Sequence, residues 1–232
     1  PLSVFDYENN RNYRLLVTQG KDLIMFNQLG NRISGFNYSG AEQSIRTQPK
    51  HIRIGGKDYI TFSQGNQMEI LSRVGKTRVE IDNKFQLSHN DIYRYNNKFI
   101  TTITSGDLVE VQTNGKVKIK NLQLKENHKI SATERTLVTL SENKLTIRSK
   151  TVELDYGNYT EPQIFYLNNK IYVSVTDLQT RKVYLFDSQA EIIAGFPVYG
   201  NSSIDMEDID EDNKIEILTK GEKNTLMIYE IN

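Results

Sequence analysis

Six stretches of this chain carry one layout: an apolar strand, a polar turn, a second strand, a short polar loop, a third strand, then a turn and a fourth. The second strands begin near Tyr13, Tyr59, Phe99, Thr136, Ile171 and Ile215, so successive starts lie 46, 40, 37, 35 and 44 residues apart. The third strands keep step at Leu23–Phe26, Met68–Leu71, Leu108–Val111, Leu145–Arg148, Val183–Phe186 and Leu226–Tyr229. The periodicity is of strand type, alternating apolar and polar residues rich in Val, Ile, Tyr, Phe and Thr. No window sustains the i, i+3, i+4, i+7 stripe of a capped helix. A four-stranded unit of about 40 residues has the period of a β-propeller blade, and a ring of such units buries faces that one unit cannot bury alone.

The sequence therefore predicts an all-β fold: a single β-propeller domain over residues 1–232, with about six blades of four antiparallel strands. The units run over approximately 1–40, 41–84, 85–124, 125–158, 159–200 and 201–232. A two-sheet sandwich would also show regular hairpins. The ring is preferred because Gly30-Asn31-Arg32-Ile33-Ser34-Gly35-Phe36 and Ala190-Glu191-Ile192-Ile193-Ala194-Gly195-Phe196 share one motif in non-adjacent units, each read as a fourth strand. Such fourth strands are expected in five units; the last stops after its third, while the first opens directly at Pro1-Leu2-Ser3-Val4-Phe5. Either a three-stranded blade closes the ring, or a longer polypeptide, from which the chain is expected to be excised, supplies the strand. Asn, at 22 residues against 4 Pro, makes most of the turns, since it tolerates positive φ and bonds its own backbone.

Composition narrows function. Lys+Arg and Asp+Glu balance at 29 each, leaving no bulk charge for nucleic acid or an anionic membrane. No apolar run approaches the roughly 18 residues that membrane insertion requires. With Cys 0 there is no disulfide, thiolate metal site or cysteine nucleophile. Trp 0 and His 3 lower the enzyme reading, and His51, His89 and His128, in three different units, are expected to be structural. Lys116, Lys118 and Lys120 fall on one face of a strand, read as the charged outer strand of a blade. Tyr59, Tyr93, Tyr166, Tyr172, Tyr184 and Tyr229 are read as packing between blades. Sequons at Asn37, Asn158 and Asn201 are as many as chance supplies.

The opening Pro1-Leu2-Ser3-Val4-Phe5-Asp6-Tyr7, then Asn10-x-x-Tyr13-Arg14, Gly55-Gly56-Lys57-Asp58-Tyr59-Ile60 and Phe186-Asp187…Gly195-Phe196-Pro197 carry a resemblance. The chain resembles the C-terminal propeller-like part of long, exported, uncharacterised proteins of gut-type Gram-negative bacteria. More loosely, its units are similar to quinoprotein-like and integrin-type FG-GAP blades, without the tryptophan-docking motifs of the former. The resemblance implies a periplasmic or cell-surface location and no particular activity.

One loop carries the pattern of an integrin-type calcium site: Asp208-Ile209-Asp210-Glu211-Asp212-Asn213-Lys214-Ile215-Glu216. Alternate residues of a tight loop turn to one concave side, so Asp208, Asp210 and Asp212 converge. Asn213 takes the place usual for glycine and reverses the backbone, the Lys214 carbonyl faces inward, and Glu216 closes the shell. Ca²⁺ takes 6–8 oxygens from flexible loops, and its expected role is a structural clamp. Asp205 and Glu207 are expected to face solvent. An echo at Asp6-Tyr7-Glu8-Asn9-Asn10 ends on Arg14, whose guanidinium is expected to bridge Asp6 and Glu8. The functional expectation is a non-enzymatic module for protein interaction or scaffolding, its partner a protein or other domains of the same polypeptide. A carbohydrate-active or glycan-binding domain is the alternative.

Overall fold

The computed structural model describes residues 2–231, so Pro1 and Asn232, the ends of the expected first and last units, lie outside the described residues. Among the described residues the ordered elements are all strands, and no helix is long and apolar enough to cross a membrane. The chain divides into two compact units, Pro1–Asn127 and His128–Asn232, each holding three antiparallel sheets.

In the first unit, β1 (Leu2–Phe5), β2 (Arg14–Gln19) and β3 (Asp22–Asn27) form one sheet. The second sheet is β4 (Lys50–Ile54), β5 (Lys57–Gln64) and β6 (Gln67–Leu71). The third has four strands, β7 (Tyr93–Tyr95), β8 (Lys98–Thr102), β9 (Asp107–Val111) and β10 (Val117–Asn121). In the second unit, β11 (Lys129–Ala132), β12 (Leu137–Ser141), β13 (Lys144–Ile147) and β14 (Lys150–Glu153) pair in that order. Next come β15 (Gln163–Leu167), β16 (Lys170–Asp177), β17 (Lys182–Phe186) and β18 (Val198–Tyr199). The last sheet is β19 (Asp205–Glu207), β20 (Ile215–Lys220) and β21 (Leu226–Ile231).

The turns follow from residue type. Asn96-Asn97 joins β7 to β8 with φ of 47° and 55°, and Asn168-Asn169 joins β15 to β16 with 47° and 60°. Two consecutive positive φ values make the primed turn whose twist matches that of the paired strands, and asparagine enters that region at low cost. Gly55-Gly56 does the same between β4 and β5.

Packing is sheet against sheet. Phe5, Leu16, Leu23 and Met25 of the first sheet meet Ile60, Phe62 and Leu71 of the second. The opposite face of the second sheet, with Ile52, Tyr59, Met68 and Ile70, meets Phe99, Val109 and Val111 of the third. In the second unit Val138, Leu145 and Ile147 pack on Val173, Val175, Tyr184 and Phe186, while Tyr172, Val183 and Leu185 pack on Met206, Ile215 and Ile217. Each middle sheet is therefore covered on both sides. That is why β5, Lys57–Gln64, is buried at every position after its first. Its Tyr59-Ile60-Thr61-Phe62 run keeps no polar solvent face, as in any strand covered on two sides. Among the tyrosines expected between sheets, Tyr59 meets Phe99 edge-on at 4.9 Å, and Tyr172 and Tyr184 are buried. Tyr166 differs: it is 68% exposed.

The fourth strands differ from expectation. They form in three sheets, as β10, β14 and β18, while the first, second and last sheets have three strands. Gly30–Phe36 and Ala190–Phe196 are not strands. Each touches the preceding strand through one bridge, Phe26 to Arg32 and Phe186 to Ile192. The reason lies just upstream. The Asn27 side-chain oxygen accepts the N–H groups of Leu29 and Asn31, and Asp187 likewise accepts those of Gln189 and Glu191. An Asx turn bends the chain before it can run alongside its neighbour. The two segments nonetheless share one backbone pattern: Ile33 N–H bonds Met25 O as Ile193 N–H bonds Leu185 O. The motif is real, and it codes for a turn.

A second repeat is hydroxyl-based. The loop before a sheet's first strand places a Ser or Thr oxygen on the end of its second strand: Thr47 with Ser63, Ser88 with Thr102, Thr160 with the Thr176 N–H, and Ser202 with Thr219. These buried or half-buried pairs satisfy groups that the incoming loop would otherwise strip of water.

Candidate metal-binding loop

The loop between β19 and β20 is built from its own side chains. Glu211 and Asn213 take positive φ of 62° and 69°, so Asn213 makes the reversal expected of it. Asp208 Oδ2 accepts the Asn213 N–H at 3.0 Å, and Glu216 Oε2 accepts the Ile209 N–H at 2.8 Å, tying the two ends of the loop. Asp208, Asp210 and Glu216 each offer a carboxylate oxygen within 4.8 Å of the others, a group that could hold a metal ion. Oδ1 of Asp208 is shielded from solvent and, among the described residues, has no hydrogen-bond partner. A carboxylate oxygen with neither water nor donor is costly unless a cation compensates it.

One expected ligand is diverted. Asp212 is outside the group: its Oδ1 accepts the Lys214 N–H at 2.8 Å and its Oδ2 lies 3.4 Å from Lys214 Nζ. Lys214 also reaches Glu230 on β21 at 2.8 Å, so its ammonium neutralises acids beside the loop. A lysine two residues after an acid can fold back on it, and spacing alone does not show that competition. Asp205 and Glu207 are exposed, as expected.

The echo in the first unit is organised otherwise. Asp6 accepts the N–H groups of Asn10 and Arg11, and Arg14 bonds Asn12 and the Tyr13 carbonyl rather than bridging acids. Glu8 is instead paired with Arg73. Arg14 opens β2, and its short-range acceptors lie within two residues, nearer than Asp6 or Glu8.

Arg73 belongs to a cluster that spacing did not reveal. Asp58, 5% exposed, accepts from His51 Nε2 at 2.7 Å, from Arg53 Nε at 2.7 Å and from Arg73. The Arg73 guanidinium lies 4.6 Å from the Tyr7 ring centroid, and Tyr7 meets His51 edge-on at 4.8 Å. Burial pushes the Asp58 carboxyl up, but the donors on Arg53, His51 and Arg73 outweigh it and hold the group down at about 2. The signal was available in part. Across the Gly55-Gly56 turn Arg53 directly opposes Asp58, a cross-strand pair fixed by turn length. His51, read from the sequence as structural, has an acidic partner in Asp58. Glu110 on β9, 2% exposed, is treated the same way by Lys98 at 2.7 Å and by Lys120. Lys120 of the outer strand β10 thus serves a buried carboxylate, while Lys118 faces solvent.

No protein-family profile and no curated protein matches the chain. Solved structures do. The computationally designed Ika8 protein aligns with a TM-score of 0.66 at 9% identity, over 99% of this chain and 70% of that one. Dihydro-heme d1 dehydrogenase NirN aligns at 0.65 and 11%, over 98% and 53%. BamB from Moraxella catarrhalis aligns at 0.53 and 14%, over 89% and 66%. NirN and BamB are propeller proteins. The fold is propeller-like. At these identities the likeness concerns the path of the chain alone.

Proposed function

We propose that the chain is a non-enzymatic propeller module for protein interaction or scaffolding, its six sheets acting as blades, with a structural calcium ion in the loop between β19 and β20. The observation that supports the calcium reading is the unpartnered Asp208 Oδ1 beside Asp210 and Glu216. All three donors are hard carboxylate oxygens, two on the loop and one on β20, the kind of set Ca²⁺ takes readily. Adding calcium to chelator-treated protein is expected to raise the melting temperature by several degrees, magnesium to do much less, and Asp208→Asn to abolish the rise. An unchanged melting curve with and without EGTA would remove the calcium reading.

The interaction reading is supported by β21. This edge strand turns Leu226 and Ile228 outward, 59% and 56% exposed, and among the described residues no strand pairs its outer side. An uncovered edge with alternate apolar residues suits strand addition by a protein partner or by another domain of the same polypeptide. Leu226→Lys with Ile228→Lys is expected to leave stability within about 0.5 kcal/mol, because exposed positions contribute little to folding. A loss above about 1 kcal/mol in urea denaturation would show that these residues serve the fold instead. An exported location rests on the resemblance of the opening segment and of Phe186–Pro197.

A further inference from the structure

The second unit contains a two-lobed cleft whose smaller lobe borders the acidic loop. One lobe, of about 580 Å³, is lined by Arg148, Tyr166, Asn169, Lys170, Asp187 and Ser188 with apolar Ile171, Tyr172, Ile193 and Ile231. The other, of about 420 Å³, shares Lys170, Tyr172 and Ile231 and adds Asn168, Asn213, Lys214 and Ile215. Such volumes suit a small ligand. The larger lobe sets two cations against one acid. Asp187 is already engaged through Oδ1, and among the described residues no carboxylate pairs with Arg148 or Lys170. Tyr166 presents an exposed ring at this lobe, its hydroxyl held by Asn169 Oδ1 at 3.1 Å.

Arg148 occupies the first position of the two-residue turn from β13 to β14 with φ of 57°, as Glu142 does at 55° in the turn from β12 to β13, and its Nε donates to Thr136 Oγ1 at 3.3 Å.

We propose that this cleft binds an anionic saccharide, a sugar ring bearing a carboxylate. The carboxylate sits between the Arg148 guanidinium and the Lys170 ammonium, the ring lies on Tyr166, and the Asn169 amide and Ser188 hydroxyl meet the sugar hydroxyls. Charge-assisted pairing fixes the acid and the aromatic face takes the C–H surface of the ring. The site needs no metal, so it stands apart from the calcium reading.

The test is calorimetric titration of the whole chain, with EGTA present, using trigalacturonate, its fully methyl-esterified form and a glutamate oligomer. Trigalacturonate is expected to bind, and esterification, Arg148→Asn and Lys170→Gln each to weaken it at least about tenfold. Arg148→Asn should meanwhile keep or raise the melting temperature, since asparagine suits the turn, so lost affinity cannot be ascribed to unfolding. No binding of trigalacturonate, equal binding of the ester, affinity untouched in both variants, or tighter binding of the glutamate oligomer would each overturn the proposal.

Discussion

Asp58→Ala is expected to lower stability by about 3 kcal/mol, the low end of the cost of breaking a buried ion pair, because Arg53 and Arg73 keep some access to water. For a chain of this size that is a fall of about 6–12 °C in melting temperature. Three side chains lose their shared acceptor at once: His51, Arg53 and Arg73. The same group sets an acid limit. Its carboxyl is held at about 2 against an ordinary 3.8, so the unfolded chain binds the proton more readily. The stabilisation is complete above about pH 4 and is lost as pH falls towards 2, about 2 kcal/mol in all. Urea denaturation of the wild type and of Asp58→Ala between pH 6 and pH 2 checks both statements. The two curves should draw together in acid, and a constant gap would refute the assignment of the shift to Asp58.

Phe62→Ala carries the other large effect, about 3–5 kcal/mol. Phe62 is fully buried on β5, faces the first sheet, and meets Tyr38 edge-on with centroids 5.8 Å apart. Its surroundings come from two sheets and cannot easily collapse, so the cavity persists. A denaturation midpoint that falls with an unchanged slope is the expected signature. A cost below about 1.5 kcal/mol would mean that the first and second sheets are not packed as described.

Strand positions were legible because period-two alternation and asparagine turns report local geometry. The second and third strands form where the repeat predicts, from Arg14–Gln19 and Asp22–Asn27 to Ile215–Lys220 and Leu226–Ile231. The fourth strands were less so. Ile33-Ser34 and Ile192-Ile193 look like strand residues, but Asn27 and Asp187 decide their fate from five to seven positions upstream, through side-chain bonds that a periodicity count does not weigh. In the acidic loop, the turn at Asn213 and the convergence of Asp208, Asp210 and Glu216 follow from spacing. The diversion of Asp212 to Lys214 does not, because it depends on which of two charges is nearer in space. The Asp58 cluster was hidden for a related reason: Arg73 and Glu8 are 65 residues apart, and only tertiary packing introduces them.

Burial of the middle sheets on both sides has a consequence for how each unit opens. Amide protons on β5 and β16 are screened by a neighbour to the left and another to the right, so neither neighbour's departure alone frees them. Exchange at Ile60 and Val173 therefore reports the rare event in which a whole three-sheet unit comes apart, while β1 and β21 fray on their own schedule. The middle sheet acts as a keystone, and the flanking sheets are free to breathe without endangering it.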